Sequence, residues 1–299
     1  MKLSQVGERK LTYYVTKKFS IPFDDCAFLD AGEEYLLITT DMVNRKTHFP
    51  EGSTFYHMGW YAMAVNISDI AAKGGKPIAY VAAIGMPENL EKENYEEMLE
   101  GMEKCTEEYG GKLVGGDTKE ADDVTIAITA FGKVRKDEAM PRKGAKPEDA
   151  VYVTGSIGRG GAALLEKNLE ELLLIKPKIE EGRMLAKSKV VTSCMDLSDG
   201  LASSLYQLAK INNVGFIIYE DMLPVAEIAK KHENWLELAL YYGGDYELLF
   251  TVPEEKGKEL EKKMDIKRIG KVIEENKITL IKEGKEHKIE DRGYEHFRM

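Results

Sequence analysis

The sequence predicts a two-domain chain of the α/β (α+β) class, and three observations carry that expectation. Strand-like segments of period two alternate with helix-like segments of period 3.6 in both halves. Over Pro141–Asp149 the composition turns to Arg, Lys, Gly, Pro and Asp before a fresh strand starts, which places the domains at 1–145 and 146–299. The 299 residues, 43% of them apolar, suffice for one large or two ordinary cores.

In the first half a helix is expected over about 4–18, followed by a turn at Pro22 and a short apolar segment at Cys26–Leu29. A strand at Tyr35–Thr40 then stops at Asp41. Between about 54 and 73, Trp60, Met63, Ala64, Ile67 and Ala71 form one buried helical stripe, while Asn66, Asp69 and Lys73 at i, i+3 and i+7 define a different face. Gly74-Gly75 and Pro77 end this helix, Ile78–Ile84 reads as a strand, and 91–109 as a charged amphipathic helix. Lys112–Val114 is a short strand ending in Gly115-Gly116-Asp117-Thr118, and Val124, Ile126 and Ile128 alternate with Thr125, Ala127 and Thr129 in another.

The second half opens with the strand Val151–Thr154, a Gly-rich turn at Gly155–Gly161 and helices to about 167 and near 178–188. A strand then runs into Asp196-Leu197-Ser198-Asp199-Gly200, where Asp199 is a candidate cap for the helix bearing Leu201, Leu205, Leu208 and Ala209. Strand 214–219, helical stretches near 225–241, strand 246–252, helix 254–263 and a strand-rich tail complete the chain.

Fifty-two acids against 42 bases give a formal charge of −10, which repels phosphate backbones and argues against nucleic acid as a partner. No run approaches the roughly 18–20 apolar residues of a membrane span, and the N-terminus lacks a secretory apolar core, so a cytoplasmic location is expected. Cys26, Cys105 and Cys194 are widely spaced, without CxxC or a neighbouring His, and read as small buried thiols.

The informative feature is a set of aspartates at strand ends or on polar helix faces: Asp24, Asp25, Asp41, Asp69, Asp117, Asp196 and Asp199. For any one of them a solvated charge or a cap is an equally good account. If they converge, they must take up protons or bind hard cations, and oxygen-only ligands favour Mg²⁺, Mn²⁺ or Ca²⁺ over zinc. An EF-hand starting at Asp196 would put Leu201 at the turn glycine and Gln207 at the bidentate glutamate, so that spacing fails. Magnesium completes its octahedron with water and phosphate oxygens, so dispersed aspartates point to a polyphosphate substrate. GxxxxGK[ST], HRD, DFG and GxSxG are all absent, and the glycines of 155–161 are too irregular for a dinucleotide fingerprint.

In order and spacing, these segments resemble the thiamine-monophosphate kinase family, of the aminoimidazole ribonucleotide synthetase-like superfamily. The resemblance rests on Gly7-Glu8, Asp24-Asp25-Cys26-Ala27, Thr39-Thr40-Asp41-Met42 with His48-Phe49, and the stretch Ala64–Ala72. It continues through Gly115–Thr118, Val151–Gly155, Asp196–Leu201, Asp245–Thr251 and the tail Gly293–Phe297, nearly end to end.

The resemblance implies an N-terminal domain forming a β-barrel across a homodimer, a C-terminal α/β domain and Mg-ATP bound between domains. It assigns several Mg²⁺ ions to Asp25, Thr39, Thr40, Asp41, Asp69, Asp117, Asp196 and Asp199. ATP falls to Asp25, Gly116, Asp117, Arg142 and Ser198, and thiamine monophosphate to His48 and Tyr294, with Asp117 and Asp199 as the catalytic pair. Asn66 is a candidate support for a ligand. Two positions depart from the pattern: Gly244 stands where the family carries a substrate-side glutamate, which Asp245 or Glu247 would have to replace, and Phe23 replaces a glycine. The alternatives are a superfamily enzyme with another acceptor and a non-catalytic Mg-nucleotide-binding protein.

Overall fold

A computed structural model describes residues 2–297. The chain packs into two compact units, and neither is a contiguous half. Residues 25–140 and 163–190 make one, while 2–24, 141–162 and 191–297 make the other.

The first unit holds a five-stranded sheet in the order β1-β2-β5-β3-β4, with β1 Ala27–Ala31, β2 Glu34–Asn44, β3 Lys76–Met86, β4 Leu113–Glu120 and β5 Thr125–Arg135. All neighbours are antiparallel except β3 and β4. β2 does not stop at Asp41: its ladder with β5 continues to Asn44↔Thr125, so Asp41 lies inside a strand. Likewise β4 runs through Gly115-Gly116-Asp117 rather than ending there, because the parallel ladder to β3 holds it, Ala82 facing Gly116 and Ala83 facing Asp117. β1 and β4 are the sheet edges, and among the described residues no strand pairing closes the sheet into a barrel.

The Phe55–Ala72 helix is capped by Thr54, which accepts from the His57 N–H. Trp60, Met63, Ala64, Ile67 and Ala71 are buried as the stripe predicts, but Asn66, Ser68 and Lys73 are buried too. The cause is packing on several sides: β2 and β5 contact this helix, and so do the helices Lys92–Tyr109 and Ile179–Ser188. A helix covered all round must satisfy every polar group internally.

The second unit holds a seven-stranded sheet, β12-β11-β8-β10-β6-β9-β7, built from β6 Asp149–Thr154, β7 Ser193–Asp196, β8 Gly215–Tyr219, β9 Leu248–Pro253, β10 Ile266–Ile273, β11 Ile278–Lys282 and β12 Lys285–Lys288. Every residue of β6 is buried. Val151, Val153, Leu197, Leu201, Leu205, Phe216, Ile218 and Leu249 anchor the core. Several sequence expectations shift here. β9 starts at Leu248 instead of 246 because Tyr246 adopts φ +52°, which an extended strand cannot contain. The 225–241 stretch splits into Glu227–Lys230 and Trp235–Tyr241. The N-cap position of the Leu201–Asn212 helix is Gly200, one residue after Asp199.

All three cysteines are buried free thiols. Among the described residues no helix is long and apolar enough to cross a membrane.

Candidate functional site

In the five-stranded unit, the sheet and the Phe55–Ala72 helix bring several of the predicted residues together. Thr39, on the helix-facing side of β2, donates its hydroxyl to Asp69 Oδ2. Asp25 and Asp69 each offer a carboxylate oxygen within 4.8 Å of the other. Lys73 Nζ lies 2.7 Å from Asp25 Oδ2, and both side chains are fully inaccessible to solvent. Asn66 accepts the Asp41 backbone N–H at 3.0 Å and donates to the Ala62 carbonyl at 2.9 Å, which fixes the Asp41 backbone while leaving its residue exposed.

Adjacent strand residues face opposite ways. The Thr40 hydroxyl accordingly leaves this cluster, donating to Ile128 O at 3.1 Å and accepting from Thr129 Oγ1 at 3.1 Å. Asp117 lies exposed on β4, where its Oδ1 accepts the Thr118 N–H at 3.0 Å and stands 3.6 Å from Lys119 Nζ. Gly116 is required by close approach: a Cβ there would sit 1.9 Å from the Ala82 carbonyl oxygen. His48 closes the short Arg45–His48 turn, its Nδ1 accepting the Asn44 N–H at 3.2 Å, with its ring 6.5 Å from that of Tyr61.

In the seven-stranded unit, buried Asp196 ends β7 and the turn Leu197–Gly200 leads into a helix. Backbone bonds hold that turn: Leu197 N–H donates to Glu247 O at 2.8 Å, Gly244 N–H to Ser198 O at 2.9 Å and Tyr294 N–H to Asp199 O at 3.2 Å. Gly244 has φ +92°, so the glutamate of the family pattern would be strained on this backbone.

Both neighbouring acids are engaged in hydrogen bonds within the unit. Asp245 turns inward and accepts the N–H groups of Gly158 at 2.7 Å and Gly160 at 2.9 Å, and burial pushes its carboxyl up to about 6. Glu247 accepts the Thr154 hydroxyl at 2.6 Å. Arg159, which no sequence motif marks, donates to the carbonyls of Gly244 at 2.8 Å and Asp245 at 3.2 Å.

Arg142 is buried. Its guanidinium lies 5.1 Å from the centre of the Phe23 ring and donates to Gln207 Oε1 at 3.0 Å, so Phe23 serves as a platform for the cation. Tyr294 is 45% exposed on the tail. Its segment is tied to the Glu8–Phe19 helix: Arg9 donates to Tyr294 O at 3.2 Å and the His296 N–H to Glu8 Oε2 at 3.0 Å. Partial burial, then the charges of Glu8 and Asp199, raise the Tyr294 phenol.

Two family models match this chain, AIR synthase related protein N-terminal domain over residues 23–134 and C-terminal domain over 146–283. The thiamine-monophosphate kinase of Methanospirillum hungatei is 38% identical over 275 residues, covering 91% of this chain and 92% of that protein. The chain belongs to the thiamine-monophosphate kinase family. The family member from Pyrococcus horikoshii is 34% identical, with 92% and 90% covered. A solved structure described as AaThiL complexed with AMPPCP and TMP matches with TM-score 0.89 and 30% identity over 99% of both chains. Thiamine monophosphate kinase from Aquifex aeolicus matches at TM-score 0.82 and 28% identity over 96% of this chain and 99% of that one.

The donors also fit the metal that this family reading requires. Asp25, Asp69 and Thr39 supply oxygen alone, and among the described residues no His or Cys joins the grouped carboxylates. That set suits Mg²⁺ rather than zinc.

Proposed function

We propose that this chain transfers the γ-phosphoryl group of ATP to thiamine monophosphate, giving thiamine diphosphate and ADP. The observation that carries the reading is the Asp25–Asp69 carboxylate pair with the Thr39 hydroxyl. It lies in a chain matching, over 99% of its length, a relative described with AMPPCP and TMP.

A phosphate monoester has a second pKa of about 6, so the acceptor is largely deprotonated at neutral pH and needs no general base. The obstacle is repulsion between two anions, and bound Mg²⁺ supplies charge screening and alignment for in-line transfer. In this reading Asp25, Thr39, Thr40, Asp41, Asp69, Asp117, Asp196 and Asp199 hold the metals, Thr40 through its backbone carbonyl because its hydroxyl faces the other side of the sheet. Arg142, Ser198, Gly116, Asp25 and Asp117 hold ATP, with the Arg142 cation set on Phe23 toward phosphate oxygens. His48 and Tyr294 orient the acceptor, and Asp117 and Asp199 steady the transferring group.

Residues 1–145 carry the dimer function and most of the proposed nucleotide and metal ligands, Asp196, Ser198 and Asp199 being the exceptions, and a second copy covers the five-stranded sheet. Met42 at 64% and Val114 at 64% exposed support that face as the dimer surface, where pairing across two copies would form the barrel. A cytoplasmic location is compatible with the use of ATP.

The test is ADP and thiamine diphosphate formation by purified protein with Mg-ATP, comparing thiamine monophosphate with thiamine. Diphosphate from the monophosphate alone is the expected result. A second reading, the same chemistry on another acceptor, is favoured by Gly244, since Asp245 and Glu247 are both engaged elsewhere. ATP binding without turnover of thiamine monophosphate would select it.

A further inference from the structure

Lys73 is a fully buried ionisable group for which the proposed chemistry has no task. It follows the Phe55–Ala72 helix as its C-cap residue, with its backbone N–H bonded to Asp69 O and Ile70 O. The helix C-terminus favours a cation there. Its exposure is 0%, and its ammonium sits 2.7 Å from Asp25 Oδ2. Asp25 is in turn within 4.8 Å of Asp69 at their carboxylate oxygens. An ammonium taken wholly out of water is tolerated only when it is paired, and a buried carboxylate carries the same requirement. The pair therefore meets in one place where a divalent ion would otherwise be the source of positive charge.

We propose that Lys73 is a resident counter-charge of the metal centre. It holds and neutralises Asp25 when no divalent ion is bound, and it sets how tightly Asp25 and Asp69 take one up. The proposal rests on reading those two aspartates as metal ligands. Two like-signed cations share one carboxylate in the loaded protein, so the ammonium weakens divalent binding through direct repulsion. In return the ligand set stays assembled without metal. Lys73 is thus a positioning residue: it acts through Asp25 and does not touch substrate.

The experiment compares wild type, Lys73→Met, Asp25→Asn and the double variant, all as full-length protein without nucleotide. Mn²⁺ binding is read by electron paramagnetic resonance and melting temperature in EDTA and in Mg²⁺. Lys73→Met is expected to bind Mn²⁺ on the order of tenfold tighter than wild type. It should also melt several degrees lower in EDTA and recover most of that loss in Mg²⁺, whereas wild type barely responds. Adding Asp25→Asn should abolish both the deficit in EDTA and the Mg²⁺ rescue, because no buried carboxylate is then left uncompensated. If Lys73→Met folds only with Asp25→Asn beside it, the neutralising role is supported, and Lys73→Gln supplies the Mn²⁺ comparison.

Mn²⁺ binding that Asp25→Asn weakens but neither Lys73 variant changes would overturn the proposal and leave the metal reading intact. Mn²⁺ binding that Asp25→Asn does not affect would overturn both.

Discussion

Asp25 and Asp245 are both deeply buried carboxylates, and the two units satisfy them by different means. Asp25 meets a side-chain cation, Lys73, beside the hydroxyl-bonded Asp69. Asp245 meets two backbone N–H groups where the Arg159–Glu166 helix begins. A side-chain partner can yield to an arriving ion by rotating. Backbone amides cannot move without undoing the turn that presents them. The contrast separates the carboxylate proposed as a metal ligand from one held by the backbone, a distinction residue type alone does not make.

The largest effect should come from the metal-ligand side of that contrast. Asp69→Asn should lower kcat/KM for Mg-ATP on the order of 100-fold or more while circular dichroism stays unchanged. An effect below a few-fold would remove Asp69 from the proposed metal centre.

On the backbone-held side, the effect should be on stability and should depend on pH. The folded pKa of Asp245, about 6, lies above its ordinary 3.8, so the folded state holds this proton more tightly. Its contribution to stability is complete below 3.8 and is lost as pH rises through about 6. A rise of that size corresponds to on the order of 3 kcal/mol. Melts of Asp245→Asn against wild type from pH 4 to 7 should show the variant lacking this limb. Parallel curves would mean the carboxyl is not held as described.

Asn66→Ala comes next. It leaves the Asp41 N–H and Ala62 carbonyl without their side-chain partner, and should cost about 1–2 kcal/mol in urea unfolding. His48→Ala should be smallest in stability, within about 0.5 kcal/mol. If His48 orients the acceptor, its KM for thiamine monophosphate should rise while KM for ATP holds.

Much of this contrast was legible in the sequence, and the missing parts have physical reasons. The spacing of Asn66, Asp69 and Lys73 marked one helix face, and the structure joins that face to Asp41, Thr39 and Asp25. Period-two alternation places Thr39 and Thr40 on opposite faces. What the spacing could not say is that the polar face is covered, since its side chains meet Thr39, Asp41 and Asp25, which come 25 to 48 residues earlier in the chain. Strand ends were misplaced at Asp41 and Gly115 because ladders to β5 and β3 extend segments whose own composition reads as punctuation. Asp245 carries no local sign of turning inward: Tyr246 at φ +52° sets that direction, and its side chain gives no hint of it.

The interleaving of the two units fixes when each can be finished. Trp60 donates its indole N–H to the Ile175 carbonyl, 115 residues downstream, at 3.0 Å. During synthesis on the ribosome, the five-stranded unit therefore waits for a segment that emerges only after β6 of the other unit has been made. A fragment ending at 145 would leave one flank of the Phe55–Ala72 helix bare, whereas by residue 190 the five-stranded unit has all of its chain, before β7 to β12 of the other unit are made.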